Sequence, residues 1–247
     1  MFDLKKIEDE RNKRLKAKGY SPEKLLKFRK KIKKVSEEEA NKLGIELLKI
    51  VQSKNYDEVN SFKKVEELVL QGADLEVRSK KCGDTPLLKI SKAKKEFYDT
   101  FNLLVRGGAC INAQSIQTET TKRTIFGGSP TMWSARRGYH RILEDLILLE
   151  ADINLTYTDG ENALHSASRH GQVKSAEMLA EAGIILNAKS NLGVEPLGLA
   201  REKRHTEVIE FFENSLSEEA SEILYSDEDI FNEIEKAKEK IKLLTKK

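Results

Sequence analysis

Apolar residues recur three and four positions apart along most of the chain, in runs that fit helices of two to four turns. The stretch SPEKLLKFRKKIKKV reads as a helix with Ser21 as N-cap and Pro22 in its first turn, where a missing N–H loses no bond. Leu25, Leu26, Phe28, Ile32 and Val35 form its broad apolar stripe, and lysines form the other side. Ser36 followed by Glu39 is a second start signal, the spacing of a capping box. It opens EEEANKLGIELLKIVQS, with Leu43, Leu47, Ile50 and Val51 on one face. A break at KNYDE leads to a second helix, VNSFKKVEELVLQ, which ends at GADL.

From there the pattern repeats. Gly127, Gly160 and Gly193 are spaced 33 residues apart, as are Asn154 and Asn187. After the glycines come GSPTMWSARRG, ENALHSASRHG and VEPLGLAREKR, and an earlier copy, DTPLLKISKAK, follows Gly83. Helical segments succeed each phrase, among them TFNLLVRGGACINA, RILEDLILLEADINL and KSAEMLAEAGIILNA. A unit of this size is too small to bury its own apolar face, so neighbouring units must stack into one continuous core. Small residues such as Ala135, Ala167 and Ala200 permit close approach of adjacent helices. Glycines after the second helices (Gly72, Gly108, Gly183) suit left-handed C-caps.

The 33-residue period, the Thr85-Pro86-Leu87 phrase, and the closing phrases Gly72-Ala73-Asp74 and Ala151-Asp152-Ile153-Asn154 resemble ankyrin repeats. The resemblance covers about residues 37–214. Leu88, Met132 and Gly198 stand where that family carries histidine, Ile184-Ile185 replaces Ala-Asp, and the first unit lacks the opening phrase. The resemblance implies an all-α ankyrin-repeat solenoid of about five units over residues 36–214. A basic helical extension (1–35) precedes it and an acidic-then-basic helical tail (215–247) follows. It also implies that the His165 imidazole bonds a neighbouring turn, that Trp133 packs within the stack, and that His140 and His205 are structural. The Lys/Glu/Ile-rich composition is similar to that of low-GC bacterial ankyrin proteins. Some of those are delivered into host cells, so an effector that binds a host protein is a second expectation.

Composition narrows the function. The chain has 247 residues, 38% hydrophobic and 34% charged, with a net charge of +3, so it is not basic throughout. No apolar run approaches 18 residues, which leaves no membrane span. The opening MFDLKKIEDERNKRLK lacks the apolar stretch of a signal peptide, and Cys82 and Cys110 suit a reducing compartment. The expectation is a cytoplasmic monomer, or a protein secreted without a signal peptide. The basic helix of residues 1–35 raises a further alternative, nucleic-acid binding. In the tail, Ser226 before Asp-Glu-Asp reads as an N-cap, and Ile230, Ile234, Ala237, Ile241 and Leu244 make a stripe suited to capping the last unit.

The strongest candidate for chemistry is TDGENALHSASRHGQ, with His165 and His170. The two histidines lie five apart, off the i, i+4 face that a paired metal site on one helix needs. No CxxC, HExxH, nucleophile–base grouping or Gly-rich phosphate loop occurs. The expected activity is therefore non-catalytic, with no cofactor, metal or small-molecule substrate. In the ankyrin architecture the residues before the helix-turn glycine face a concave groove. Here they are Arg136, Arg137, Arg169 and His170, with Lys92, Lys94 and Lys203 at comparable places. Nine extra residues between Asn112 and Gly127 lengthen one hairpin finger (113–126), which carries Gln117, Lys122, Arg123 and Phe126. With Tyr157, these are the expected contacts to a partner protein with an acidic surface.

Overall fold

The computed structural model describes residues 4–54, 56–118 and 126–215. Among them eleven helices are bounded. These are α1 (Leu4–Ala17), α2 (Pro22–Arg29), α3 (Glu37–Val51), α4 (Glu58–Leu70), α5 (Pro86–Lys92) and α6 (Tyr98–Gly107). There follow α7 (Pro130–Arg137), α8 (His140–Leu148), α9 (Ala163–Arg169), α10 (Val173–Glu181) and α11 (Pro196–Lys203). Residues 206–215 are helical as well, and no strand occurs among the described residues. From α3 onward the helices form antiparallel pairs that stack in two layers. The inner layer runs α3, α5, α7, α9, α11, and the outer layer α4, α6, α8, α10. The fold is an all-α solenoid of repeated helix pairs.

Local chemistry sets each pair. The inner helices begin at equivalent caps: Thr85 Oγ1 accepts from Leu88 N (3.4 Å), Ser129 Oγ from Met132 N (3.4 Å), and Asn162 Oδ1 from His165 N (3.1 Å). Pro86, Pro130 and Pro196 occupy first-turn positions. Ala135, Ala167 and Ala200 are fully buried where successive inner helices meet. Larger side chains fill the space between the layers, with Leu87, Phe101, Leu104, Ile142, Leu146, Leu164 and Leu179 at no exposure. Where the other units end an outer helix on glycine, one unit has Glu150 in the left-handed region (φ 59°), a conformation that costs a side-chain-bearing residue about 1 kcal/mol.

The N-terminal extension does not stand free. Helix α1 lies against α8, and α2 against α6. Arg11 Nε donates to the Leu148 carbonyl (3.0 Å) and pairs with Glu150, while Arg14 pairs with Glu144. At the centre is the fully buried Asp145. Its carboxylate accepts from Lys18 Nζ (2.5 Å), Tyr20 Oη (2.8 Å) and Tyr98 Oη (2.9 Å). Burial alone would make a charged carboxylate very costly, and these three donors replace the lost water. Burial lowers the affinity of Lys18 for its proton, but Asp145 and Glu144 outweigh that and raise its pKa. Burial, reinforced by Asp145, pushes the Tyr20 hydroxyl far above its usual range. Several basic residues of the extension are thus anchors of the fold.

Asp145→Ala leaves Lys18 and two tyrosines without their shared acceptor, and should cost about 3–5 kcal/mol in urea unfolding. Glu144→Ala, in a half-exposed pair, should cost about 1 kcal/mol or less. Equal effects would contradict this account of the extension.

Candidate partner-binding cleft

Between successive helix pairs the chain projects hairpin fingers, closed by the same two bonds each time. In one, Tyr157 N donates to Glu161 O (2.8 Å) and Gly160 N to Tyr157 O (2.9 Å); in the next, Ser190 N donates to Val194 O and Gly193 N to Ser190 O. Gly127, Gly160 and Gly193 all have φ between 73° and 97°, which L side chains rarely adopt. In the long finger the equivalent bonds join Ser115 and Gly128 (3.1 Å) and Gly127 and Ser115 (3.0 Å). Thr158 N donates to Phe126 O and Asn191 N to Asp159 O, which ties adjacent fingers together.

The fingers and inner helices enclose a cleft of about 300 Å³. Its lining includes Lys92, Phe126, Arg136, Tyr157, Arg169 and His170, so the structure gathers six of the twelve expected contact residues in one place. Arg137 and Lys203 lie outside it. Arg137 Nη2 donates to the Lys92 carbonyl (3.2 Å), and the exposed Lys203 pairs with Glu202. Lys122 and Arg123 lie outside the described residues. Ile116, Ser115, Cys82, Asp159, Glu161 and Ser166 also line the cleft, and the sequence pattern does not single them out. Trp133, expected to pack within the stack, has two roles: it is 8% exposed, packs with Leu88 and Ala113, and forms part of the wall. Lys92 Nζ and Arg136 Cζ lie over its ring at 4.8 and 5.0 Å, each a cation–π contact.

The cations differ in how they are compensated. Lys92 pairs with Asp84, which is almost fully buried, and Lys89 stands 3.3 Å from the same carboxylate. Burial opposes the Asp84 charge, but Lys92 and Lys89 outweigh it and hold its pKa below the ordinary carboxylate value. Burial also lowers the Lys92 pKa, despite Asp84. Arg169 pairs with Glu161. Both pairs join the residue after a finger glycine to the residue eight positions later. In the unit between them that register reads Gly128 and Arg136, so the carboxylate is missing. Gly128 is fixed by packing: a Cβ there would meet Trp133 Nε1 at 2.6 Å and Tyr157 Cε1 at 2.7 Å.

His165 has no exposure. Its Nδ1 faces Asn162 Oδ1 (2.7 Å) and its Nε2 the Val194 carbonyl of the next finger (3.0 Å). His205 likewise bridges units, its Nε2 lying 3.1 Å from Arg169 O. His170 Nδ1 lies 2.9 Å from Ser166 O. Burial, then the charges of Arg136 and Arg169, hold its imidazole below the usual range, so it faces the cleft uncharged at neutral pH. Among the described residues no group of three His, Cys, Asp or Glu is placed to hold a metal ion.

Stacked helix pairs at a 33-residue period, with hairpin fingers on one edge, define the class, and the chain carries ankyrin repeats. Residues 131–219 match the family model described as ankyrin repeats (3 copies). The chain is also similar to the ankyrin repeat and KH domain-containing protein mask-1 of Caenorhabditis elegans, at 30% identity over 152 residues. That match takes in 61% of this chain and spans 5% of the relative's length.

Gly128→Ala should destabilise the protein by about 1–3 kcal/mol, because tryptophan or tyrosine must move. Gly198→Ala, in a helix where an added Cβ meets nothing within 4 Å, should stabilise it by up to about 1 kcal/mol. Thermal melting of the two variants checks both signs. The histidines predict a pH effect. Burial depresses the His165 pKa below 6.5, as it does for His140 and His170. The unfolded chain then binds these protons more tightly, so stability is full above about pH 6.5 and falls as pH drops through that value. Urea midpoints should fall between about pH 7.5 and about pH 5.5, and by less in His165→Gln.

Proposed function

We propose that this chain is a non-catalytic protein-interaction module whose partner occupies the cleft between the inner helices and the long finger. Ankyrin repeats as a class are protein-interaction modules, and the particular contact follows from the chemistry of the cleft. Trp133, Tyr157, Phe126 and Ile116 offer an apolar wall of the kind that anchors partner side chains. Arg136 carries the reading: among the described residues it has no carboxylate partner, while Lys92 and Arg169 on either side have theirs. An Asp or Glu of the partner supplies the missing carboxylate and accepts a charge-assisted, bidentate pair from the guanidinium. The acidic partner surface expected from a basic stripe thus reduces to one acidic residue next to an apolar one. Arg137, Lys203 and the finger residues Lys122 and Arg123 add rim contacts that act more on association rate than on affinity.

Affinity capture with immobilised wild type, Arg136→Glu and Lys63→Glu tests this. Lys63 is exposed on the outer helix α4. Proteins retained by wild type and Lys63→Glu should be lost from Arg136→Glu. Retention of the same proteins by all three would show that the cleft is not the interface.

A further inference from the structure

Residues 13–34 carry eleven Lys or Arg and a single acidic residue, Glu23, in a chain whose net charge is only +3. Three of the eleven are engaged with the repeats: Arg14 and Lys18 on Glu144 and Asp145, and Arg29 through Nε on the Arg106 carbonyl (3.2 Å). The other eight are lysines, and all are exposed. None stands within ion-pair distance of a carboxylate among the described residues. The acids of α1 are confined to Glu8–Glu10, ahead of the first of these lysines.

The path of the segment turns this local charge into a surface. It runs over α8 in α1, over α6 in α2, and reaches α4, where Lys33 N donates to Leu70 O (2.9 Å). It therefore crosses three consecutive outer helices. With neighbouring axes about 8–10 Å apart, the stripe extends about 20 Å along the stack. Duplex nucleic acid presents one charge per roughly 1.7 Å, or about a dozen phosphates over that length.

The apolar residues decide between polyanions. Phe28 is buried, and Leu25 and Ile32 pack on the core, so the stripe has no apolar face to insert into a membrane. Leu26 is its single large exposed apolar residue. Tyr20 and Phe28 are buried too, which leaves no aromatic platform for unpaired bases. The segment's arginines, the residues that read base edges bidentately, are engaged with the repeats, while its exposed charges are lysines, which act as point charges. We propose that the outer face of residues 13–34 is a second binding site, separate from the cleft, that holds the phosphate backbone of duplex nucleic acid without regard to sequence.

The test uses the full chain and a fluorescein-labelled DNA duplex of about 20 base pairs, followed by anisotropy across a salt series. Binding should weaken linearly on a log–log plot. The Lys27/Lys30/Lys31/Lys34→Gln variant should lower the slope by about 3–4, near 0.9 for each phosphate that a lysine no longer neutralises. The same four positions changed to arginine should keep the binding. A control with equal charge loss on other exposed lysines, Lys42/Lys49/Lys94/Lys95→Gln, should keep the wild-type slope. Circular dichroism of each variant should match wild type, since the side chains are exposed. No binding at low salt overturns the proposal, as does an equal loss in the control. Tighter binding to anionic phospholipid vesicles than to the duplex at the same salt also overturns it, in favour of a membrane surface.

Discussion

The fully buried contact of Ala135 on α7 with the inner helix α9, where Ala167 is equally buried, represents the constraint on which the whole structure rests. A helix pair this short leaves an apolar face that only the next pair can cover, and only small residues permit the approach. That dependence also aligns the polar groups of adjacent units. His165 reaches the Val194 carbonyl, His205 the Arg169 carbonyl, and one finger hydrogen-bonds the next through Thr158 and Phe126. The cleft is a product of this registry, since residues from three successive units line it.

Charge is distributed by the same logic. Asp84 and Glu161 each hold a cation eight residues further on, but at Gly128 the aromatic wall leaves no room for the equivalent carboxylate. Packing of Trp133 and Tyr157 and an Arg136 without a carboxylate among the described residues are thus two sides of one local arrangement. On the outer side, Asp145 shows how a fully buried carboxylate is accommodated: three donors from two distant segments converge on it and hold the N-terminal extension against α8.

What the sequence made legible was periodic or local. The glycine spacing and the caps at Ser21 and Ser36 follow from short-range rules, and the turn-bonding role of His165 from the family resemblance; the sequence reading does not single out the caps at Thr85 and Asn162. What it hid depends on distance. Nothing in the local pattern links Lys18 and Tyr20 to Asp145, more than a hundred residues away. A run of basic residues says nothing of which members face acids, so Lys92 and Arg169 read as open contacts although each has a carboxylate. The eight-residue register of Asp84 with Lys92 and Glu161 with Arg169 was present in the sequence, but its meaning required the turn geometry that brings those positions together. Trp133 was hard to place for a similar reason: a residue can fill the core and wall a cleft at once.

Trp133 is the chain's one tryptophan and stands in the cleft wall, so its fluorescence is the most direct probe of the central claim. With a partner recovered by wild type, the titration should shift the emission and reduce acrylamide quenching, saturating together with binding measured by calorimetry. Saturable binding that leaves emission and quenching unchanged would contradict the cleft as the site of recognition.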